Sequence, residues 1–159
     1  MTVGRFPYRG PELEMAIVRA RAKYHLALVG PPATGKTHVM EATRLAICGP
    51  DSKPGVDYEL VFGMPTMTSD ELIGGWRKDE NGNPEYFLGP LTIAMREGKP
   101  LFVNEFTRLS RKAQNTFIAP LSEGWLPIPY LPGVDRYIEA QPGFVVVMDM
   151  NTTEHDVAV

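Results

Sequence analysis

Residues 30–37 combine two glycines, a lysine and a threonine at a spacing suited to holding phosphate. They read Gly30-Pro31-Pro32-Ala33-Thr34-Gly35-Lys36-Thr37 and are followed by His38. Glycines let the backbone fold closely around an anion, and the N–H groups of the loop and of the next helix point toward it. The ammonium of Lys36 can neutralise β and γ phosphates, and the hydroxyl of Thr37 can bind magnesium. Residues 30–38 are therefore the predicted binding site for a nucleoside triphosphate with Mg²⁺.

A second polar pair, Asn104-Glu105, ends an apolar run that begins at Pro100. We expect this strand to run beside the one that enters the loop. Its carboxyl end would then lie next to the phosphates, because ligands of open α/β sheets bind at the carboxyl ends of the strands. Glu105 could then orient and deprotonate a water that attacks the γ-phosphate. The preceding position usually carries a carboxylate that helps to hold magnesium. Asn104 keeps an amide oxygen without the charge, so a metal-shell role and a turn-forming role are both open.

A third polar residue, Asn151, follows the apolar run at 144–150. At the end of a buried strand, its side chain could reach the γ-phosphate or the attacking water, an interpretation we favour over a turn-forming role. Glu105, Lys36 and Asn151 are therefore the predicted catalytic residues, and Thr37 and Asn104 the predicted metal residues. The three histidines, His25, His38 and His155, lack metal-ligand spacing and are interpreted as structural or solvent-facing.

Alternating elements would position these residues. Strands are predicted at 25–29, 58–62, 100–105 and 144–150. Helices are predicted at 12–24, 36–47, 90–97 and 111–123, the last kinked by Pro120, with a short helix that ends at Ile73 and is capped by Ser69 or Asp70. Two hairpins are expected, one at 76–87 with a tight Asn81-Gly82 turn and one at 125–140 around Pro132-Gly133. The fold class is α/β: a three-layer sandwich around a mostly parallel sheet, with two β-hairpin insertions.

The composition limits the other functions of the chain. It has 159 residues, 43% of them hydrophobic, and a net charge of −3, which fits one globular domain and gives nucleic-acid binding no electrostatic support. A single cysteine, Cys48, excludes an internal disulfide and suits a reducing compartment. We find no apolar run long enough to cross a bilayer and expect a cytoplasmic protein without membrane contact.

The order of these motifs resembles the AAA+ ATPases, and within them the MoxR and dynein-related branch that includes midasin and the gas-vesicle and nitric-oxide-reductase activating ATPases. The resemblance rests on segments along nearly the whole chain. They are Val3-Gly4-Arg5 at the adenine pocket, residues 30–37 as Walker A, residues 70–75 with the 76–87 hairpin and Gly89-Pro90-Leu91 as the insert of this branch, residues 104–108 at Walker B, and Asn151 at sensor 1.

The resemblance implies a function and its partners. ATP with Mg²⁺ would drive a homo-oligomeric ring, usually a hexamer, that remodels or activates a partner protein, which often carries a von Willebrand factor A domain. Trp76, Tyr86 and Phe87 could present aromatic surface to that partner, or pack the hairpin onto the sheet. Residues 1–159 would be a nucleotide-binding core that is incomplete at its C-terminus, because the fifth strand, the arginine finger and the lid of the family would follow Val159.

Two alternative functions stay open. The aspartate of Walker B is replaced by Asn104, so the chain could be a nucleotide-binding module that does not hydrolyse its ligand. The run Met150-Asn151-Thr152-Thr153 also resembles the McrB restriction subunit, which uses GTP.

Overall fold

The structure is a computed structural model that describes residues 10–129 and 136–152. In chain order its strands are β1 Leu26–Gly30, β2 Glu59–Phe62, β3 Gly74–Lys78, β4 Pro84–Leu88, β5 Pro100–Asn104, β6 Trp125–Pro127, β7 Tyr137–Glu139 and β8 Val145–Asn151. Its helices are α1 Pro11–Arg21, α2 Lys36–Cys48, α3 Ser69–Ile73, α4 Pro90–Glu97, α5 Arg111–Asn115 and α6 Ile118–Ser122. Each predicted strand and helix of the sandwich is present, with shifts at the ends and one helix divided in two.

Four parallel strands form the central sheet in the order β1-β8-β5-β2. Each crossover carries the chain over a face of the sheet, so all four carboxyl ends lie at one edge. The prediction that β5 runs directly beside β1 was wrong, because β8 lies between them. The strand that carries Asn151 is therefore the direct neighbour of the strand that enters the loop.

Helices cover both faces of this sheet, as predicted for a three-layer sandwich. Alternate residues of a strand point to opposite faces. Leu101 and Val103 pack in one cluster with side chains of α3, α4 and α5, whereas Phe102 packs in a second cluster with Met40 of α2. Phe102 is 1% exposed, and Leu101 and Val103 are fully buried. The continuous apolar run of β5 is thus explained by burial on both sides.

The first hairpin, β3 with β4, differs from the predicted tight turn. Pairing ends at Lys78 and Pro84, so the loop has five residues, 79–83. Only Gly82 has a positive φ, +83°, whereas a two-residue turn would require Asn81 to share that conformation. The carboxylate of Asp79 instead organises the loop by accepting N–H bonds from Asn81 and Asn83 at 2.9 and 2.8 Å.

Two helix predictions are also corrected. The N-cap of α3 is Thr68, which exchanges side-chain and backbone hydrogen bonds with Glu71, rather than Ser69 or Asp70. The helix predicted at 111–123 is split into α5 and α6 around Thr116 and Phe117. Pro120 cannot donate to the carbonyl four residues before it and its ring crowds that carbonyl, so the break falls one turn earlier than the predicted kink. Ile118, the first residue of α6, is 63% exposed.

The second hairpin pairs β6 with β7 in antiparallel fashion. Its predicted turn at Pro132-Gly133 lies outside the described residues, as do Val3-Gly4-Arg5 and His155. Within the described ranges, no helix combines the length and the apolar character needed to cross a membrane.

Candidate functional site

The loop between β1 and α2 has the backbone geometry of an anion cradle. Gly35 and Ala33 have positive φ values of +88° and +62°, and α2 begins at the next residue, Lys36. Consecutive turns of this kind direct successive N–H groups into one concavity. Positive φ is costly for alanine, which is a form of strain that clusters at binding sites. Residues 31–34 are exposed, so the cradle is open to a ligand from solvent.

The ammonium of Lys36 lies over this loop. It donates to the carbonyl oxygens of Gly30 at 2.9 Å and of Pro31 at 2.6 Å, and it lies 3.4 Å from Oγ1 of Thr34. These contacts place a positive charge at the centre of the predicted phosphate site. When a nucleotide binds, the ammonium can donate to phosphate oxygens instead of these carbonyl oxygens, because charge-assisted hydrogen bonds to phosphate are stronger.

Asn151 lies at the same edge of the sheet as the loop. It is paired in register with Gly30, the last residue of β1, and the next N–H, of Thr152, donates to the carbonyl of Gly30 at 3.2 Å. The structure thus brings Asn151 beside the entrance of the loop. Its catalytic role stays a prediction.

Glu105 follows β5 in an unusual backbone conformation. Its φ of +54° is uncommon for a residue other than glycine, asparagine or aspartate, so the turn after the strand is strained. Gly63 lies against this turn, and its N–H donates to the carbonyl of Asn104 at 2.7 Å. Oε2 of Glu105 accepts from Arg108 at 2.6 Å, but both side chains are about half exposed, so the pair is weak.

Asp149 is a site residue that the sequence reasoning missed. It lies on β8, is 5% exposed, and accepts two hydrogen bonds at the loop side of the sheet. Oδ2 accepts from the hydroxyl of Thr37 at 3.4 Å, and Oδ1 accepts from the backbone N–H of Glu105. One carboxylate thereby joins the start of α2 to the turn after β5. The signal was a single charged residue in an otherwise apolar strand.

The other reactive side chains have structural explanations. Nδ1 of His25 accepts the N–H of Val146 at 3.0 Å, and burial lowers the pKa of His25, which favours the neutral acceptor. Burial raises the pKa of the Cys48 thiol, so it is a poor nucleophile. His38 is exposed in the first turn of α2.

No group of three or more histidine, cysteine, aspartate or glutamate residues that could hold a metal is found in the part of the chain that the structure describes.

Comparison with known proteins now identifies the domain. Residues 25–159 match the profile of the AAA domain of the dynein-related subfamily. The chain belongs to this subfamily. The AAA domain binds nucleotide as a family property, and the predicted membership of the MoxR and dynein-related branch of AAA+ ATPases is confirmed.

Several curated proteins are similar to this AAA domain. It is 28% identical over 145 residues to the gas vesicle ATPase GvpN2 of Halobacterium salinarum, with 80% of this chain and 40% of that protein covered. It is 27% identical to the gas vesicle ATPase GvpN of Haloferax mediterranei, with the same coverage. It is also 27% identical over 150 residues to the uncharacterized protein YehL of Escherichia coli, with 91% and 40% covered. The chain thus spans about 40% of the length of these relatives.

A solved structure from Cytophaga hutchinsonii, described as a candidate ATPase, has the same fold. Its TM-score is 0.59 at 19% identity, and the match covers 90% of this chain and 38% of that one. The likeness supports the α/β sandwich, which the parallel sheet and its two helical layers had already indicated.

Proposed function

We propose that this AAA domain binds ATP with Mg²⁺ and hydrolyses it, and that the larger protein uses the energy to remodel or activate a partner protein. The observation that carries the proposal is that three features lie at one edge of the sheet. The anion cradle with Lys36 above it follows β1, Asn151 ends β8, and Glu105 follows β5. Binding, charge neutralisation and water activation each have a residue at that edge.

The loop and Lys36 bind the triphosphate. The backbone N–H groups of residues 33–37 would donate to the β-phosphate, whereas Pro31 and Pro32 have none to offer, and Lys36 would neutralise charge on the β and γ groups. Mg²⁺, when bound, neutralises further charge that develops on the phosphate oxygens. The oxygen donors on the protein side fit that ion: the hydroxyl of Thr37, and Oδ1 of Asn104, which is buried and has no hydrogen-bond partner among the described residues.

Glu105 activates the attacking water. It accepts a proton from the water while the turn after β5 holds its backbone in place, and Asn151 orients the water or the γ-phosphate from β8. The ion pair with Arg108 can open at low cost because both partners are exposed. Glu105 is thus free to turn toward a bound nucleotide.

The chain covers only part of the length of its relatives. We infer that it is the nucleotide-binding core and that subunits form a homo-oligomeric ring. The similarity to two gas vesicle ATPases supports an ATPase activity. Trp76 is 57% exposed on the β3–β4 hairpin and stacks edge-on with Tyr86, so this hairpin offers aromatic surface to a protein partner. A partner with a von Willebrand factor A domain fits this branch.

A second candidate function is nucleotide binding without hydrolysis, which the uncharged Asn104 favours.

The first experiment on the proposed nucleotide is a competition in which ATP or GTP displaces a fluorescent ATP analogue in the presence of Mg²⁺. We expect ATP to displace the analogue at a lower concentration than GTP. Preferential displacement by GTP would overturn the choice of ATP. Hydrolysis itself is tested through Glu105, as described in the Discussion.

Gly63 provides a test of the turn that positions Glu105. A Cβ at Gly63 would lie 2.2 Å from the carbonyl oxygen of Glu105 and 2.9 Å from its carbonyl carbon. Because both are backbone atoms, Gly63→Ala must displace the turn. We expect phosphate release to slow by about 100-fold, since small displacements of a catalytic group have effects of that order. ATP binding, measured by titration calorimetry, should change little.

Gly75→Ala is the matched control, because its added Cβ would meet only side-chain atoms at 3.5 Å or more. This variant should release phosphate at the rate of the unaltered protein. If Gly63→Ala retained full turnover, Glu105 would not depend on this turn for its position.

A further inference from the structure

The residue at the end of β5, Asn104, lacks the negative charge that usually helps to hold the nucleotide's magnesium ion. We propose that Asp149, on the neighbouring strand β8, supplies this carboxylate instead. The inference rests on the proposed binding of a magnesium–triphosphate complex and names a further residue of that site.

The sheet geometry places Asp149 beside Asn104. Val103 pairs with Met148, so Asn104 and Asp149 stand one position further along two adjacent parallel strands. They share a face of the sheet with Phe102 and Val147, which pack on the α2 side. Both residues therefore lie on the side of the sheet from which the phosphate-binding helix begins.

The hydrogen bonds of Asp149 connect it to the predicted metal ligand of the loop. Its Oδ2 accepts from the hydroxyl of Thr37 at 3.4 Å. In phosphate-binding loops of this type the ion lies between that hydroxyl and a carboxylate at a strand end. Asp149 is a carboxylate in contact with that hydroxyl.

The burial of Asp149 calls for a positive charge. Asp149 is only 5% exposed, and although its carboxylate accepts two hydrogen bonds, burying a carboxylate without an opposite charge nearby is costly. The ion pairs within residues 10–129 and 136–152 join Arg44 to Glu41, Arg77 to Glu85, Lys99 to Glu97 and Arg108 to Glu105. None of them includes Asp149, so a bound cation would balance its charge.

Two further features provide oxygen donors and room. Oδ1 of Asn104 is buried and, in the described part of the chain, accepts no hydrogen bond. Asn104 and Thr37, together with Arg44 but not Asp149, also line a cavity of about 170 Å³ between α2 and the sheet. Since a water molecule occupies about 30 Å³, the cavity can hold several of the waters that Mg²⁺ retains. Hydroxyl, amide and carboxylate oxygens form the hard donor set that Mg²⁺ prefers.

The proposal also gives Asn104 a physical explanation. The charge is moved from the end of β5 to the end of β8 rather than lost, and the amide remains as a neutral donor. Asp149 also accepts the N–H of Glu105, so the same carboxylate fixes the turn that carries the proposed base. Metal binding and the position of Glu105 are therefore coupled through one side chain.

The test compares how strongly a divalent ion assists nucleotide binding. The dissociation constant of a non-hydrolysable imido analogue of ATP is measured by calorimetry in EDTA and in Mg²⁺, and again in Mn²⁺. The variants are Asp149→Asn, the exchange variant Asn104→Asp with Asp149→Asn, and the control Asp70→Asn, whose exposed side chain lies on α3. Thermal unfolding of each variant checks that it is folded.

We expect Asp149→Asn to reduce the assistance by the metal by about tenfold or more, with the affinity in EDTA retained or improved because a negative charge is removed. The exchange variant should restore the assistance by the metal. Because its carboxylate stands on β5 instead of β8, a purely structural role for Asp149 would not predict this recovery. Equal weakening in EDTA and in Mg²⁺ would overturn the proposal, as would unchanged assistance in Asp149→Asn. Failure of the unaltered chain to bind the analogue at all would instead overturn the proposed function.

Discussion

Lys36→Ala is expected to weaken the binding of ATP by about 30-fold. The ammonium lies over the loop, 2.9 and 2.6 Å from the carbonyl oxygens of Gly30 and Pro31, and is the positive side chain that the structure places within the loop. A hydrogen bond to a charged group contributes about 2 kcal/mol, which corresponds to about 30-fold in a dissociation constant. Titration calorimetry with ATP and Mg²⁺ measures this change directly.

Lys78→Ala is the matched control for this prediction. Lys78 is exposed at the end of β3, on the hairpin rather than at the carboxyl edge of the central sheet. Its removal changes the net charge by the same amount and should leave the ATP affinity unchanged. Equal affinities of the Lys36 and Lys78 variants would show that the loop at residues 30–37 does not bind the triphosphate.

Glu105→Gln is expected to retain ATP while losing its hydrolysis. Glutamine keeps the shape and the hydrogen-bonding oxygen of glutamate but cannot take a proton from water, and a positioned general base contributes about 100-fold or more to the rate. The backbone of the turn should persist, because Asp149 binds the N–H of residue 105 rather than its side chain. Chromatography of the nucleotide bound after incubation should show ATP in the variant and ADP in the unaltered protein.

Glu80→Gln removes the same charge at an exposed position in the loop of the first hairpin and serves as the control. It should behave as the unaltered protein does. A Glu105→Gln variant that accumulates ADP at the normal rate would assign the activation of water to another residue.

The loop and most elements could be predicted because their signals are local. Glycine spacing specifies the anion cradle, and continuous apolar runs specify strands buried on both faces. The same local signals placed Lys36, Glu105 and Asn151 at strand ends or helix starts, and the structure brings them to one edge. Their chemical roles remain predictions.

The order of the strands could not be read from local signals. Nothing in residues 100–105 shows that β8 lies between β5 and β1, because the order of strands depends on how all four strands pack with their helices. Asp149 was missed for the same reason. Its partners, Thr37 and Glu105, are 112 and 44 residues away in the chain, and only the folded sheet brings them together.

The turns show a different limit of sequence reasoning. Asn81-Gly82 favours a two-residue turn by its own propensity, but the Asp79 carboxylate binds two N–H groups and stabilises a longer loop. Pro120 correctly predicts a defect in its helix, but the break lies at Thr116 and Phe117, because the carbonyl that Pro120 leaves without its helical donor is four residues earlier.

The central claim is that this AAA domain hydrolyses ATP with Glu105 as the base, and phosphate release tests it most directly. The rate is measured with ATP and Mg²⁺ for the 159-residue chain and for Glu105→Gln under the same conditions. We predict saturable release by the unaltered chain and a rate lower by about 100-fold in the variant. Equal rates would contradict the role of Glu105, and no release by either protein would contradict hydrolysis by this domain.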